Sequence, residues 1–336
     1  MSETVHDVVI VGSGVAGQSA AVYAARADLS PLVLTGDEPG GQLTLTTDVE
    51  NYLGFPDGVG GHELVQRGRE QAERFGASFR QASVASADLD DRPFELSLST
   101  GETLSARSLV LATGASARTL GVPGEDELMG YGLSTCATCD GAFHRGHDVI
   151  VVGGGDAAME EALFLTKFAD SVTIVHRREE LRASEILARR AREHDAIEFR
   201  WNAELAAIHG AREEGVTGAT IVSHPDGHPT RRRADGESVE TERLDVQGVF
   251  YGIGHEPNTA FLAETGIAVD DRGYVVTDSE TTETTVDGVF AAGDVADDRY
   301  QQAITAAGTG AQAALDAERR LDERSVAAED DRRIVA

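Results

Sequence analysis

Two glycine turns, each entered from a strand and left through a helix, constrain this chain more than any other feature. In the first, Asp7-Val8-Val9-Ile10-Val11 is an apolar run of the kind that forms a buried parallel strand. It enters Gly12-Ser13-Gly14-Val15-Ala16-Gly17, and an alanine-rich, helix-prone stretch follows from Gln18 to Arg26. Gly12 permits the tight turn, Gly14 lets the backbone approach a pyrophosphate, and Gly17 lets helix and strand pack closely. The pyrophosphate then sits on the helix N-terminus. A second strand, Pro31-Leu32-Val33-Leu34, ends at Gly36-Asp37-Glu38, about 20 residues past the turn, where an acidic side chain takes the hydroxyls of an adenosine ribose.

The second turn differs in one respect. His147 to Val152 is again a buried-strand run, entering Gly153-Gly154-Gly155-Asp156-Ala157-Ala158, with alanine at the third fingerprint position. Met159 to Phe168 is helix-like and Ser171 to Val175 is the next strand, but this unit ends in His176-Arg177-Arg178, with Arg182 four residues on. A carboxylate there favours a free 2′-hydroxyl, whereas arginines favour a 2′-phosphate through bidentate, charge-assisted bonds. The pattern implies two different dinucleotides, the second phosphorylated. FAD with NADPH is the natural pair for hydride chemistry beside a disulfide.

Between the turns lies Cys136-Ala137-Thr138-Cys139-Asp140, which holds both cysteines of the chain. Alone, such a pair is a redox disulfide, half of a metal site, or two small apolar residues near a core. Cys136 and Cys139 with His144 and His147 offer four ligands for a non-redox zinc module, but zinc fingers need a longer span between the pairs. Met1 to Asp7 shows no basic region or long apolar run, and no stretch is long and apolar enough to span a bilayer, so neither a secretory signal nor a membrane segment is expected. In that setting the pair leans redox, and the expected compartment is the cytoplasm.

The charge excludes one class of partner. With 58 acidic against 29 basic residues the net charge is −29, and Lys167 is the sole lysine. This argues against nucleic acid, whose phosphates require basic patches. Self-repulsion of that size destabilises the compact state at low salt and fades as salt screens it, so the composition resembles that of proteins adapted to a saline cytoplasm.

Elsewhere the pattern is coarser. Residues 40–52 have no clear periodicity and read as a surface loop. His62 to Phe75 reads as a helix, and Phe94 to Leu98 and Leu109 to Ala112 read as strands, the latter closing in Thr113-Gly114. Short strands follow near 197–200, 205–208 and 217–223. Residues 224–243 read as a long polar hairpin tip, with Arg231 to Arg233 in a solvated turn.

Taken together, these residues resemble the low-molecular-weight thioredoxin reductases over roughly residues 5 to 322. The likeness rests on both glycine turns, Gly40-Gly41-Gln42-Leu43, the cysteine motif through Gly141, the arginine cluster, Tyr251 to Thr259, Gly293-Asp294-Val295 and Gln302 to Gly308. It implies an α/β fold of two Rossmann-like three-layer domains, the second inserted into the first. The FAD domain would comprise 1–117 and 246–322, the NADPH domain with the cysteines 118–245, and 323–336 a polar tail. Hinges would fall near 115–120 and 244–249, and Gly288 to Asp294 would return a strand to the first sheet.

With the resemblance added, the candidates for FAD are Gly12, Ser13, Gly14, Ala16, Gly17, Gly36, Glu38, Gly41, Gln42, Leu43, Asn51, Gly114, Gly293, Asp294, Gln302 and Ala303. Those for NADPH are Gly153, Gly155, Asp156, Ala157, His176, Arg177, Arg178, Arg182 and Gly254. The family implies that Cys139 is the thiol next to the flavin, that Cys136 attacks a thioredoxin-like protein substrate, and that Asp140 is the general acid–base. It also implies a homodimer and a swivel of the domains. Three positions depart from the family pattern: Gln301 and Tyr131 stand where arginine is common, and Ala142 where an aromatic residue is. A flavin-dependent dithiol oxidase, or another NAD(P)H flavoprotein reductase on the same scaffold, is the alternative reading.

Overall fold

The structure, a computed structural model, describes residues 4–46 and 48–335. The chain divides into two units, Met1–Ser116 with Glu256–Ala336 and Ala117–His255, so the second is inserted into the first.

The first unit opens with β1 (Val5–Val11), α1 (Val15–Arg26), β2 (Leu32–Leu34), α2 (Gly61–Arg74) and β3 (Ser78–Arg80). A meander follows: β4 (Val84–Asp88), β5 (Phe94–Leu98) and β6 (Thr103–Leu111). The sheet order is β3-β2-β1-β6-β5-β4, parallel from β3 through β6 and antiparallel beyond. Alternation with period two divides the core. Val9, Val11, Leu109 and Leu111 face one apolar cluster, while Val8, Ile10 and Val110 face another. The second cluster is rich in alanine from α1, which lets helix and sheet approach closely.

The chain leaves through β7 (Ala115–Ala117) and enters the second unit at α3 (Glu125–Leu128), β8 (Leu133–Ser134) and the short α4 (Ala137–Asp140). β9 (Asp148–Val152), α5 (Asp156–Leu165), β10 (Ser171–His176), α6 (Glu185–Arg192) and β11 (Ile197–Trp201) complete a second βαβ unit. β12 (Ala203–Ala211), β13 (Gly215–Ser223), α7 (Pro229–Ala234), β14 (Glu240–Leu244) and β15 (Gly248–Tyr251) follow. The parallel sheet has the order β11-β10-β9-β15-β8, and β12-β13-β14 form an antiparallel sheet beside it. Val149, Val151 and Phe250 pack on α5, and Ile150, Val152, Val249 and Tyr251 line the opposite cluster.

The return runs through β16 (His255–Pro257), which pairs with β7, to β17 (Val289–Ala291) and α8 (Ala303–Val335). β6 is long enough to pair with β5 in its first half and with β17, in parallel, in its second.

Three expectations need correction. The second crossing falls at His255/Glu256 and not at 245/246, because β15 pairs with β9 and β8 in the second unit's sheet. Residues 323–335 continue α8 and do not form a separate tail. Arg231 to Arg233 lie on α7, a short helix started by Pro229 at its first position, and not in an open turn.

Candidate active site

In the first unit the FAD candidates gather at the C-terminal ends of β1, β2, β6 and β17, where open α/β sheets bind ligands. Gly12 has φ +113°, and a Cβ there would lie 2.1 Å from the Ala112 carbonyl oxygen. A Cβ on Gly17 would lie 2.0 Å from the Gly12 carbonyl oxygen, so both positions require glycine. Above Gly14 the nearest atom is 3.9 Å away, and α1 starts there with no side-chain cap and no acidic residue in its first turn. That leaves unsatisfied N–H groups facing a clear approach, the condition for an anion. Ser13 Oγ accepts from Gly40 N–H at 2.9 Å, which brings the Gly40-Gly41 turn against the fingerprint. Gly36 and exposed Glu38 follow β2.

The remaining first-unit candidates close around this end. Gln42, in a 3₁₀ turn with Gly41 and Leu43, donates to the Ala115 carbonyl oxygen beside Gly114. Asn51 Nδ2 donates to Gln302 Oε1 at 3.3 Å, and Ala303 opens α8. Ala16 is a packing residue, its Cβ 2.8 Å from where one on Gly293 would lie. Asp294 is largely buried, and among the described residues no hydrogen bond to its carboxyl is formed. Burial, with Asp297 beside it, pushes that carboxyl up to about 7. A buried carboxylate in this state fits hydroxyl donors of a sugar-like chain.

In the second unit the same geometry recurs with different chemistry. Gly153 has φ +149°, and a Cβ there would lie 2.3 Å from the Gly252 carbonyl oxygen. Gly155 has open space around its Cβ position and caps α5 without a side-chain bond, and Ala157 is exposed in the first turn. Arg177, Arg178 and Arg182 follow β10, and none forms an ion pair among the described residues. Three cations near a helix N-terminus without a side-chain cap fit a phosphorylated dinucleotide, with Asp156 in that helix's first turn engaged by Ser184 N–H. Two candidates have partners within the protein. His176 is buried with its ring beneath Gly154, Nε2 3.0 Å from the Glu180 carbonyl oxygen, and burial first of all holds it below the usual histidine range. Asp156 Oδ1 accepts from Ser184 N–H at 2.6 Å. Gly254, at φ +87°, accepts from Arg118 N–H at the unit's edge.

Cys136 and Cys139 form a disulfide with Cα atoms 5.3 Å apart, both half-buried at the start of α4. Cys139 N–H donates to Cys136 Sγ at 3.2 Å, an interaction that favours negative charge on that sulfur. Asp140, at the end of α4, is pushed up by burial, against which the Ser134 hydroxyl works. That hydroxyl also accepts from Cys136 N–H at 3.0 Å, so Ser134 links Cys136 to Asp140. α4 packs on α5, the helix that starts at the second glycine turn. His144 is buried, its ring edge-on to Phe250 at 5.1 Å; burial, then His147, push it down to about 4. Among the described residues no cluster of three or more metal-ligating side chains forms.

Several contributing residues carried no local signal. Asn258 clamps the end of β6, donating from Nδ2 to Thr113 O and from its own N–H to Gly114 O. Thr309 Oγ1 accepts from Gly293 N–H, and Gly252 and Gly310 admit no Cβ against Ala158 and Ala16 respectively. Ser134, two residues before Cys136, was within reach of the sequence as a side chain able to bond nearby backbone. Of the departures, Gln301 Nε2 donates to the Tyr274 hydroxyl, Tyr131 lies under the Arg212 guanidinium, and Ala142 is exposed next to exposed Phe143.

Residues 6–310 match the model of the family described as pyridine nucleotide-disulphide oxidoreductase. A thioredoxin reductase of Mycolicibacterium smegmatis is 51% identical over 323 residues, covering 96% of this chain and 99% of that protein. A bifunctional thioredoxin reductase/thioredoxin of Mycobacterium leprae is 50% identical and is covered over 67% of its length, against 96% of this chain. Among solved structures, thioredoxin reductase from Streptococcus pyogenes superposes with a TM-score of 0.87 at 37% identity, covering 96% of this chain and all of that one.

Proposed function

The chain belongs to the pyridine nucleotide-disulphide oxidoreductases and, within them, to the thioredoxin reductases, and from that premise we propose which residues carry each part of the reaction. Its activity is NADPH-dependent reduction of a thioredoxin disulfide, with FAD and NADPH as cofactors. The first unit holds FAD and the second NADPH. The observation that carries this division is the contrast at the strand ends: Glu38 after β2 in one unit, Arg177, Arg178 and Arg182 after β10 in the other. A carboxylate suits free ribose hydroxyls, and guanidinium groups suit a 2′-phosphate.

FAD, which Gly12, Gly14 and Asp294 would help to hold, would supply hydride acceptance from NADPH and two-electron delivery to the Cys136–Cys139 disulfide. In the reduced pair, the Cys136 thiolate is favoured by the Cys139 N–H. It attacks one sulfur of the partner's disulfide, so a mixed disulfide forms and the partner's other sulfur leaves as a thiolate. Asp140, whose carboxyl burial holds above the usual aspartate range, supplies the proton that this thiolate takes up. Cys139 then attacks Cys136 Sγ, which restores the internal disulfide and releases the partner as a dithiol. Exposed Phe143 offers an apolar contact beside the pair, with small Ala142 in place of a second aromatic ring.

The reading extends to a cytoplasmic homodimer, as the family resemblance implies, and to suitability for high salt, which the acidic composition supports; no helix of the described residues is long and apolar enough to cross a membrane. A trapping experiment tests the cysteine roles. Cys139→Ser, mixed with an oxidised thioredoxin, is expected to accumulate a covalent adduct through Cys136, because the resolving thiol is gone. An adduct with Cys136→Ser and none with Cys139→Ser would reverse the assignment.

A further inference from the structure

We propose that the lobe between β13 and β14, residues 224–237, braces the arginine loop after β10, so that Asn202 and Gly227 set selectivity for a 2′-phosphorylated nucleotide without touching it. This rests on the NADPH reading above and deepens it. The lobe, together with Asn202 in the link between β11 and β12, binds the loop through main-chain atoms. The Arg177 carbonyl oxygen accepts from His228 N–H at 3.0 Å, and the Arg178 carbonyl oxygen accepts from Asn202 N–H at 3.3 Å. Asn202 in turn holds the lobe: Nδ2 donates to the Pro225 carbonyl oxygen at 2.9 Å, and its own carbonyl oxygen accepts from His224 N–H at 3.1 Å. Arg232 closes the lobe on itself, donating to the Gly227 carbonyl oxygen at 2.9 Å and pairing with Glu237 at 3.0 Å.

Two backbone conformations make the fit specific. Gly227 has φ +69°, and a Cβ there would lie 2.7 Å from the Arg177 carbonyl oxygen, so any side chain must push the loop away. Asn202 has φ +52°, a left-handed conformation that asparagine tolerates better than most residues. At its far end the loop is fixed again, by Arg182 and Ala183 N–H donating to the Gly154 carbonyl oxygen at 2.7 and 3.1 Å, and by Ser184 N–H on Asp156. The backbone is thus pinned at both ends while Arg177 and Arg182 project exposed side chains. Bidentate guanidinium–phosphate bonding is directional, and fixing the backbone beforehand lowers the ordering cost of binding. A loop released from the lobe would keep its charges and lose their aim.

The test uses the FAD-loaded protein and reads the ratio of NAD⁺ to NADP⁺ dissociation constants from Trp201 fluorescence. Trp201 is the chain's one tryptophan, stacked on Phe199 at 4.6 Å and 6.3 Å from the His176 ring. Asn202→Gly keeps the positive φ and removes the bond to Pro225; Gly227→Ala drives the loop outward. Both are expected to lower the ratio by about tenfold, and to raise KM for NADPH but not for NADH, with kcat at saturating NADPH unchanged. A variant with Arg177, Arg178 and Arg182 all changed to alanine provides the reference. If it loses selectivity while Asn202→Gly keeps the wild-type ratio, the brace is wrong and the NADPH assignment stands. If the arginine variant itself keeps the ratio, both fall. Should Gly227→Ala fail to fold, Asn202→Gly decides alone.

Discussion

Asp294 shows how far a single carboxyl can depend on its surroundings. Its folded value, about 7, lies well above that of an exposed aspartate, mainly because of burial. The fold therefore favours its protonated form. That contribution to stability is complete below the unfolded value near 4 and is lost as pH rises through about 7. Glu161, pushed up to about 8 by burial on α5, acts in the same sense. In cofactor-free protein, Asp294→Asn is expected to flatten the decline of stability between about pH 4 and 7, measured by urea denaturation across pH. The same variant should bind FAD about tenfold or more weakly, since one carboxyl oxygen that can accept from cofactor hydroxyls is replaced by an amide donor. An unchanged pH profile would show that Asp294 titrates normally. Asp294 was legible because it sits in a recognisable Gly-Asp motif after a strand. Asn258 was not: its partner Thr113 is 145 residues away, and only the sheet brings them together. His176 closes β10, but no sequence pattern shows that Gly154 leaves its ring room to turn inward.

At the level of elements, the contact of α1 with α8 orders the first glycine turn. A Cβ on Gly310 would lie 2.1 Å from the Ala16 carbonyl oxygen, and Ser19 Oγ donates to the Ala307 carbonyl oxygen at 2.7 Å. Ala16 also packs beneath Gly293, so α8 supports both the first glycine turn and the Gly293 turn. Gly310→Val must separate the two helices or shift α1. It is expected to cost about 3 kcal/mol and to lower the FAD content of purified protein, read by thermal denaturation and flavin absorbance. Wild-type FAD content at full stability would mean that α8 merely covers the sheet. Strand periodicity revealed many of the elements, because the cores of β1 and β9 are buried on both faces and read as continuous apolar runs. It could not say which sheet β15 joins, since Gly248–Tyr251 is equally apolar for either, and so the second crossing was expected ten residues early. The helix of 229–234 escaped because arginines and Pro229 also suit a turn, and its contacts with the arginine loop are non-local.

On the scale of the whole molecule, a net charge of −29 works against compactness. The ion pairs that offset it lie mostly at the surface, as with Arg67–Glu63, whose side chains are 58% and 53% exposed, and each contributes little. Screening therefore gains more from relieved repulsion than it loses in weakened pairs. Melting temperature is expected to rise by several degrees as potassium chloride approaches molar levels, and a flat or falling curve would remove the case for salt adaptation. The nested order of the two units came from the resemblance and not from any spacing, because residue periodicity does not record that β17 returns to pair with β6. The central claim is that electrons leave the protein only through Cys136. Its most direct test is NADPH oxidation driven by an oxidised thioredoxin at high salt, with wild-type protein and Cys136→Ser compared at equal FAD content. Turnover by the wild type and its loss in Cys136→Ser are predicted; turnover that survives the substitution would contradict the account.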